Sequence, residues 1–360
     1  MTPPPSPGRR PTMRDVAQEA GVSTALVSIV VRGAVGASEA TRGRVLDAAQ
    51  RIGYVRDERA RLLRARRSMD IGVCFETQQP FHHKLLDVMY AAVESTEHSI
   101  VLSAVTPSRG EGAAQHDHVA YLCGAIISLG SRLPSQELSE VASGIPLVVA
   151  NRSMGQELDW VSSDDEQGIA LAVEHLVELG HRDVVFATSA GAAGADERNE
   201  GFAAAAEKSG AIGEIVEGGS TEVSGAELAV ALLERDELPS GVIAFNDRSA
   251  LGMLDVFVRR GVRVPHDISV VGYDDSEIAG RSYVQLTTIA QDTQAMGQAA
   301  VGLAVSRIVD EFEGGVRPRE VGLAPGASET SFPRRSPEVS SLRIPTTLVV
   351  RMTTGPPRSV

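Results

Sequence analysis

Arginine is the residue type whose placement most plainly could do chemistry. Residues 1–70 hold 13 arginines, no lysine and seven acids, a balance of +6. The rest of the chain holds 21 basic and 40 acidic side chains, a balance of −19. A basic head on an acidic body implies that a polyanion meets the head and not the body. Five of these arginines crowd into residues 57–67, around the apolar pair Leu62 and Leu63. In the body, polar residues follow strand-like runs: Asn246 and Asp247 after Val242–Phe245, Asp274 and Asp275 after Ile268–Tyr273. Ligands of α/β folds collect beyond the carboxyl ends of strands, which makes these residues candidate binding groups.

Signals for catalysis or metal binding are weak. The chain has no Walker motif, no His-Glu-x-x-His and no Gly-x-Ser-x-Gly. Its eight histidines show no metal spacing, and His82, His83, His116 and His118 fall in segments expected at the surface. Cys74 and Cys123 sit in apolar runs and are expected as buried thiols. No metal and no cofactor is therefore expected. The acid pairs Asp164-Asp165 and Asp274-Asp275 keep a sugar-processing enzyme open as an alternative.

The elements that must position these residues fall into two regimes. Residues 1–11, rich in Pro, Gly and Arg, are expected as a disordered arm. Thr12, Ser23 and Ser38 can each cap a short helix. Inner faces are expected from Met13, Val16, Ala17 and Ala20, then Val27, Val30 and Val31, then Val45, Leu46, Ala49 and Ile52. Three helices in about forty residues, two joined by the tight turn Ala20-Gly-Val-Ser23, read as a helix-turn-helix head.

From residue 71 the pattern alternates between strand and helix. Strands are expected at Ile71–Phe75, Ile100–Val105, Ala125–Leu129, Pro146–Ala150, Val184–Ala187, Val242–Phe245, Ile268–Tyr273 and Leu348–Val350. Such alternation gives parallel sheets covered on both faces, and this length asks for two α/β lobes. With 42% hydrophobic and 22% charged residues, the chain can fill such cores. It has no 18-residue apolar run for a membrane span and no apolar leader, so a cytoplasmic, non-membrane protein is expected.

Several motifs in order resemble the lactose-repressor/galactose-repressor (LacI/GalR) family. They include Met13-Arg-Asp-Val-Ala-Gln-Glu-Ala-Gly-Val-Ser23, Ser38-Glu-Ala-Thr-Arg42, Ile52-Gly-Tyr54, Gly180-His-Arg182, Phe245-Asn-Asp-Arg-Ser-Ala-Leu-Gly252 and Arg263-Val-Pro-His-Asp-Ile-Ser-Val-Val-Gly-Tyr-Asp-Asp275. The resemblance implies an α/β fold class: a three-helix helix-turn-helix head on a two-lobed, periplasmic-binding-protein-like body with doubly wound parallel sheets. The implied domains are a head over 12–56, a hinge over 57–70 and a flexible insertion over about 321–342. The first lobe would span 71–163 with about 292–320, and the second 164–291 with about 343–354.

The implied function is a transcription regulator, a repressor by expectation. It reads a near-palindromic operator in double-stranded DNA as a homodimer and is controlled by a small effector, a sugar by expectation. The alternatives are a solute-binding protein or a sugar-processing enzyme that shares the lobes; the first of these would need a signal peptide and no basic head.

By the same resemblance, Thr24, Ala25 and Ile29 face base edges, and Arg14, Ser28, Arg32 and Arg42 contact phosphates. Ile29 replaces the family's usual Arg; it can touch a thymine methyl or pack, whereas Arg reads guanine. In the hinge, Arg61 and Leu63 enter the minor groove, with Leu63 as an apolar wedge. The effector set is Arg198, Asn246 and Asp274, with Gln291 and Phe75. Ser220 stands where an aromatic ring is usual. If Arg198 and Asp274 serve the effector alone, replacing either by alanine should spare stability; if they are structural, stability falls.

Overall fold

The computed structural model describes residues 13–31, 36–52, 68–94, 96–312 and 339–358. The chain divides into two compact units, 1–66 and 67–360.

In the head, α1 (Met13–Ala20), α2 (Thr24–Val31) and α3 (Glu39–Arg51) enclose a small core of Val16, Ala17, Ala20, Val27, Val30, Val45 and Ala48. Each fully buried valine contributes roughly 1.5–3 kcal/mol. Gly21, at φ +66°, makes the turn after α1. Ser23 Oγ accepts from the Leu26 N–H at 3.2 Å, and Ser38 Oγ accepts from the Thr41 N–H at 3.3 Å. Both expected caps therefore form, while Thr12 lies outside the described residues. Leu46 departs from expectation: it is 51% exposed. It lies one residue, about 100° of helix rotation, beyond Val45, and Val45 and Ala48 take the inward stripe instead.

The body carries two six-stranded sheets. The first is built from β1 (Asp70–Glu76), β2 (Ser99–Val105), β3 (Ala125–Leu129), β4 (Leu147–Ala150), β5 (Asp159–Ser163) and β11 (Ser341–Ile344). Its order is β11-β5-β4-β3-β1-β2, parallel throughout. The second comprises β6 (Asp183–Thr188), β7 (Ile212–Glu217), β8 (Gly241–Ile243), β9 (Ser269–Tyr273), β10 (Thr287–Gln291) and β12 (Thr346–Val349). Its order is β12-β10-β9-β8-β6-β7, parallel except for the β10–β12 pair.

Alternation along the strands feeds a core on each face. Ile127 packs with α4 (Pro80–Val93) and α11 (Thr293–Phe312), while Ile126 faces α5 (Glu111–Ala120) and α6 (Ser135–Ala142). Likewise Phe186 packs with α7 (Asp165–Glu178) and α8 (Ala195–Ser209), while Val185 faces α9 (Glu222–Leu233) and α10 (Asp247–Arg259). This double burial is why β4 reads as an unbroken apolar run and β3 as one interrupted only by the buried Ser128.

The chain passes between the lobes after Ser163, Gln291 and Ile344, each time at a strand end. The expected insertion was to run to residue 342, but Ser341–Ile344 pairs in register with Trp160–Ser163 and closes the edge of the first sheet. That strand therefore belongs to the first lobe's sheet, not to the second lobe.

Candidate functional site

A cleft opens at the carboxyl ends of both sheets. Arg198, Asn246, Asp274 and Gln291 line it, as expected, and Ser220 does too. The first lobe adds Glu76, Gln79, His82, Arg132 and Asn151. The enclosed space is about 50 Å³, far below the roughly 300 Å³ or more of a small-molecule pocket. Residues of both lobes line this space. Two ties bridge the rim: Arg248 Nη1 donates to the Gln78 carbonyl at 2.8 Å, and Lys84 Nζ to the Asp275 carbonyl at 2.5 Å.

Arg198 stands in the first turn of α8 and is 4% exposed. Its Nε donates to Asp165 Oδ1 at 2.9 Å and its Nη1 to the Phe245 carbonyl at 2.6 Å. The guanidinium carbon lies 3.6 Å from the Tyr273 ring centroid, and the Tyr273 hydroxyl donates to the same Asp165 oxygen at 2.7 Å. Gly194, at φ +74°, permits this packing, since a Cβ there would stand 2.5 Å from Asp165 Oδ2. In the sequence Asp165 stands out only as half of the Asp164-Asp165 acid pair, and nothing there points to its pairing with Arg198.

Asn246 caps α10: its Oδ1 accepts from the Ser249 N–H at 2.9 Å, and its Nδ2 donates to the Ser220 carbonyl at 3.1 Å. One amide hydrogen and one lone pair remain for a ligand. Asp274 follows β9 at φ +109°, a conformation rare outside glycine, and accepts from Gln291 Nε2 at 2.7 Å. Burial, with the Asp247 carboxyl nearby, pushes Asp274 above the ordinary carboxylate range. Gln291 sits at a crossover, where its Oε1 accepts from Ser163 Oγ at 2.6 Å. It ties the second crossover to the first and to Asp274.

Phe75 does not line the cleft. Its ring packs against the first lobe's core and lies edge-on to His83, with centroids 6.4 Å apart. Glu76, next along β1, takes the cleft position, because successive strand residues point to opposite faces. The aromatic rings at the cleft are Phe81 and Phe245. His82 and His118, expected at the surface, are both buried. Among the described residues no cluster of three or more His, Cys, Asp or Glu could hold a metal, and no helix is long and apolar enough to cross a membrane.

In the head, Thr24 and Ala25 are exposed at the start of α2, and Arg14 is exposed on α1. Ile29 is half-buried, and a Cβ at Gly36 would meet its Cγ2 at 3.5 Å. Arg42 is half-buried and donates from Nη1 to the Val30 carbonyl at 3.5 Å. Arg32, Arg61 and Leu63 lie outside the described residues, as does the side chain of Ser28.

A helix-turn-helix head joined to two α/β lobes with a polar cleft defines a class: regulators that couple DNA to a small ligand. Residues 12–57 match the model of the bacterial regulatory proteins, lacI family, and residues 173–354 match the periplasmic binding protein-like domain. The transcriptional regulator CelR of Thermobifida fusca is 32% identical over 86% of this chain and 95% of its own length. Among solved structures, a LacI transcriptional regulator from a Rhodococcus species is 40% identical, with a TM-score of 0.70 over 80% of this chain and all of its own. A lac repressor dimer bound to operator and the anti-inducer ONPF is 27% identical, with a TM-score of 0.81 over 96% of this chain and all of its own. A CelR–cellobiose complex is 26% identical, with a TM-score of 0.66 over 96% of this chain and all of its own. The chain belongs to the lacI family of bacterial regulatory proteins and is a DNA-binding transcription regulator.

Proposed function

We propose that the protein is a cytoplasmic, non-enzymatic repressor that binds a near-palindromic operator as a homodimer and responds to a sugar held between its lobes. The observation that carries this reading is the closed cleft itself. Charged and amide groups that end or follow β1, β3, β4, β8, β9 and β10 converge there, around a guanidinium already fixed by Asp165 and Phe245. Arg198, Asn246 and Asp274 offer donors and acceptors at ring hydroxyls, and a planar guanidinium suits paired oxygens. The lac repressor dimer on its operator and the CelR complex with cellobiose support the DNA, dimer and sugar parts of the reading.

In the head, Thr24, Ala25 and Ile29 would read bases from the major groove, with Ile29 limited to apolar contact. Arg14, Ser28, Arg32 and Arg42 would hold phosphates, which sets register without sequence. Arg61 and Leu63 would enter the minor groove, where the leucine wedge bends the duplex. Sugar entry parts and re-closes the lobes about the crossovers at Ser163, Gln291 and Ile344. This alters the spacing of the paired heads by as much as the sugar favours one arrangement.

Selection of bound duplexes from a random pool, followed by a screen of sugars for release, tests the reading. A palindromic consensus released by one sugar class supports it. Enrichment of no sequence, or conversion of a sugar to product, contradicts it.

A further inference from the structure

We propose that Glu76, His82 and Arg132 form a specificity-determining subsite on the first lobe that reads two adjacent ring hydroxyls of a neutral sugar. This rests on the reading of the cleft as the effector site. The three come from different elements of one wall: the end of β1, the first turn of α4 and the segment after β3.

Glu76 links them. Its backbone N–H donates to His82 Nδ1 at 3.1 Å, and its Oε1 stands 3.3 Å from Arg132 Nε. Because Nδ1 accepts, the imidazole proton is on Nε2. Burial, then His83 and Arg132, hold the ring's pKa down at about 4, so Nε2 is a neutral donor. His82 is 4% exposed, and its Nε2 has no partner among the described residues. Nε2 lies beside Gly130, another residue of the cleft wall, whose φ is +56°. A Cβ there would come within 2.9 Å of Nε2. Glycine keeps that donor uncovered.

The wall thus offers a neutral N–H, a guanidinium with free N–H groups and a carboxylate oxygen. Two neighbouring hydroxyls, each able to donate and accept, match this set. An anionic group would meet the Glu76 carboxylate. A planar base would need an open ring to stack on, but Phe81 and Phe245 are only 8% and 5% exposed, and Arg198 lies over the Phe245 face. Facing this wall, Arg198 and Asp274 hold the rest of the ligand.

The test is calorimetric titration of the full chain with glucose, galactose, mannose, xylose, cellobiose, lactose and maltose, and with hypoxanthine as the planar probe. One or more of the sugars should bind and hypoxanthine should not. Glu76→Gln and Arg132→Gln should each weaken that sugar about tenfold or more and bring its affinity ratio over its epimer to within about twofold. The exposed Arg132 is the safer position for folding, which unliganded melting checks. Unchanged affinity and epimer ratio in both variants, with binding lost in Asp274→Asn, overturns the subsite and leaves the effector cleft standing. Binding of hypoxanthine in place of sugars overturns the hydroxyl chemistry. Binding of no probe overturns both the subsite and the sugar reading beneath it.

Discussion

Replacing Arg198 by methionine keeps the volume and removes the charge. The guanidinium is 4% exposed and paired with an equally buried Asp165. Without it, Asp165 keeps only the Tyr273 hydroxyl, and the Phe245 carbonyl loses its donor. Leaving one member of a buried pair uncompensated costs about 3–5 kcal/mol. At roughly 2–4 °C per kcal/mol, appropriate to a domain of somewhat smaller size, the body should melt about 6–20 °C lower. Asp165→Asn should cost a comparable amount, since the cation then keeps only the carbonyl and the ring faces. The double variant should cost less than the sum, with coupling toward the upper part of about 0.5–3 kcal/mol. Calorimetric melting of the four proteins at one pH measures this cycle. Additive effects, or an Arg198→Met loss under about 1 kcal/mol, would refute the reasoning. The expectation that Arg198→Ala spares stability is thus revised: the residue is part of the buried structure, so the proposed effector role is better tested at Asp274.

Operator affinity should fall steeply with salt, because each neutralised phosphate releases counterions, and a chain lacking residues 1–66 should lose binding; electrophoretic shifts across a salt series check both. Leu63→Ala should weaken operator binding by about 1–3 kcal/mol, on the scale of one unstacked base step, and leave non-specific binding unchanged. Equal bending of DNA by both proteins would exclude the wedge. His82 is neutral in the folded protein down to about pH 4, whereas its ordinary pKa is 6.5. The unfolded chain takes up the proton first, so the His82 contribution is present above pH 6.5 and is lost as pH falls toward 4. Denaturant midpoints for His82→Gln should therefore lack that part of the acid slope, and an identical slope would contradict the neutral assignment.

The head and the alternating lobes were legible because each rests on local periodicity and caps: Ser23 and Ser38 sit where the helices begin, and the apolar runs of β3 and β4 mark doubly covered strands. Less legible were strands whose pattern is mixed. Ile212–Glu217, Ile-Gly-Glu-Ile-Val-Glu, has no period-2 pattern and lies at an exposed sheet edge, Asp159–Ser163 opens on an aspartate paired to Arg307, and Ser341–Ile344 depends on a partner strand nearly two hundred residues away. In the site, Arg198, Asn246, Asp274 and Gln291 follow from strand ends and family motifs. Asp165, Glu76, His82 and Arg132 do not, because their roles arise from contacts between segments distant in sequence. Phe75 failed by a single residue, where strand alternation decides which side chain meets the cleft.

The most direct test of the central claim is operator affinity, measured by fluorescence anisotropy on the selected duplex, with and without a sugar shown to bind the body. The account predicts a shift of about 5- to 150-fold, the span of about 1–3 kcal/mol of coupling, and loss of that shift in Asp274→Asn. A sugar that binds the body tightly and leaves operator affinity unchanged would contradict it.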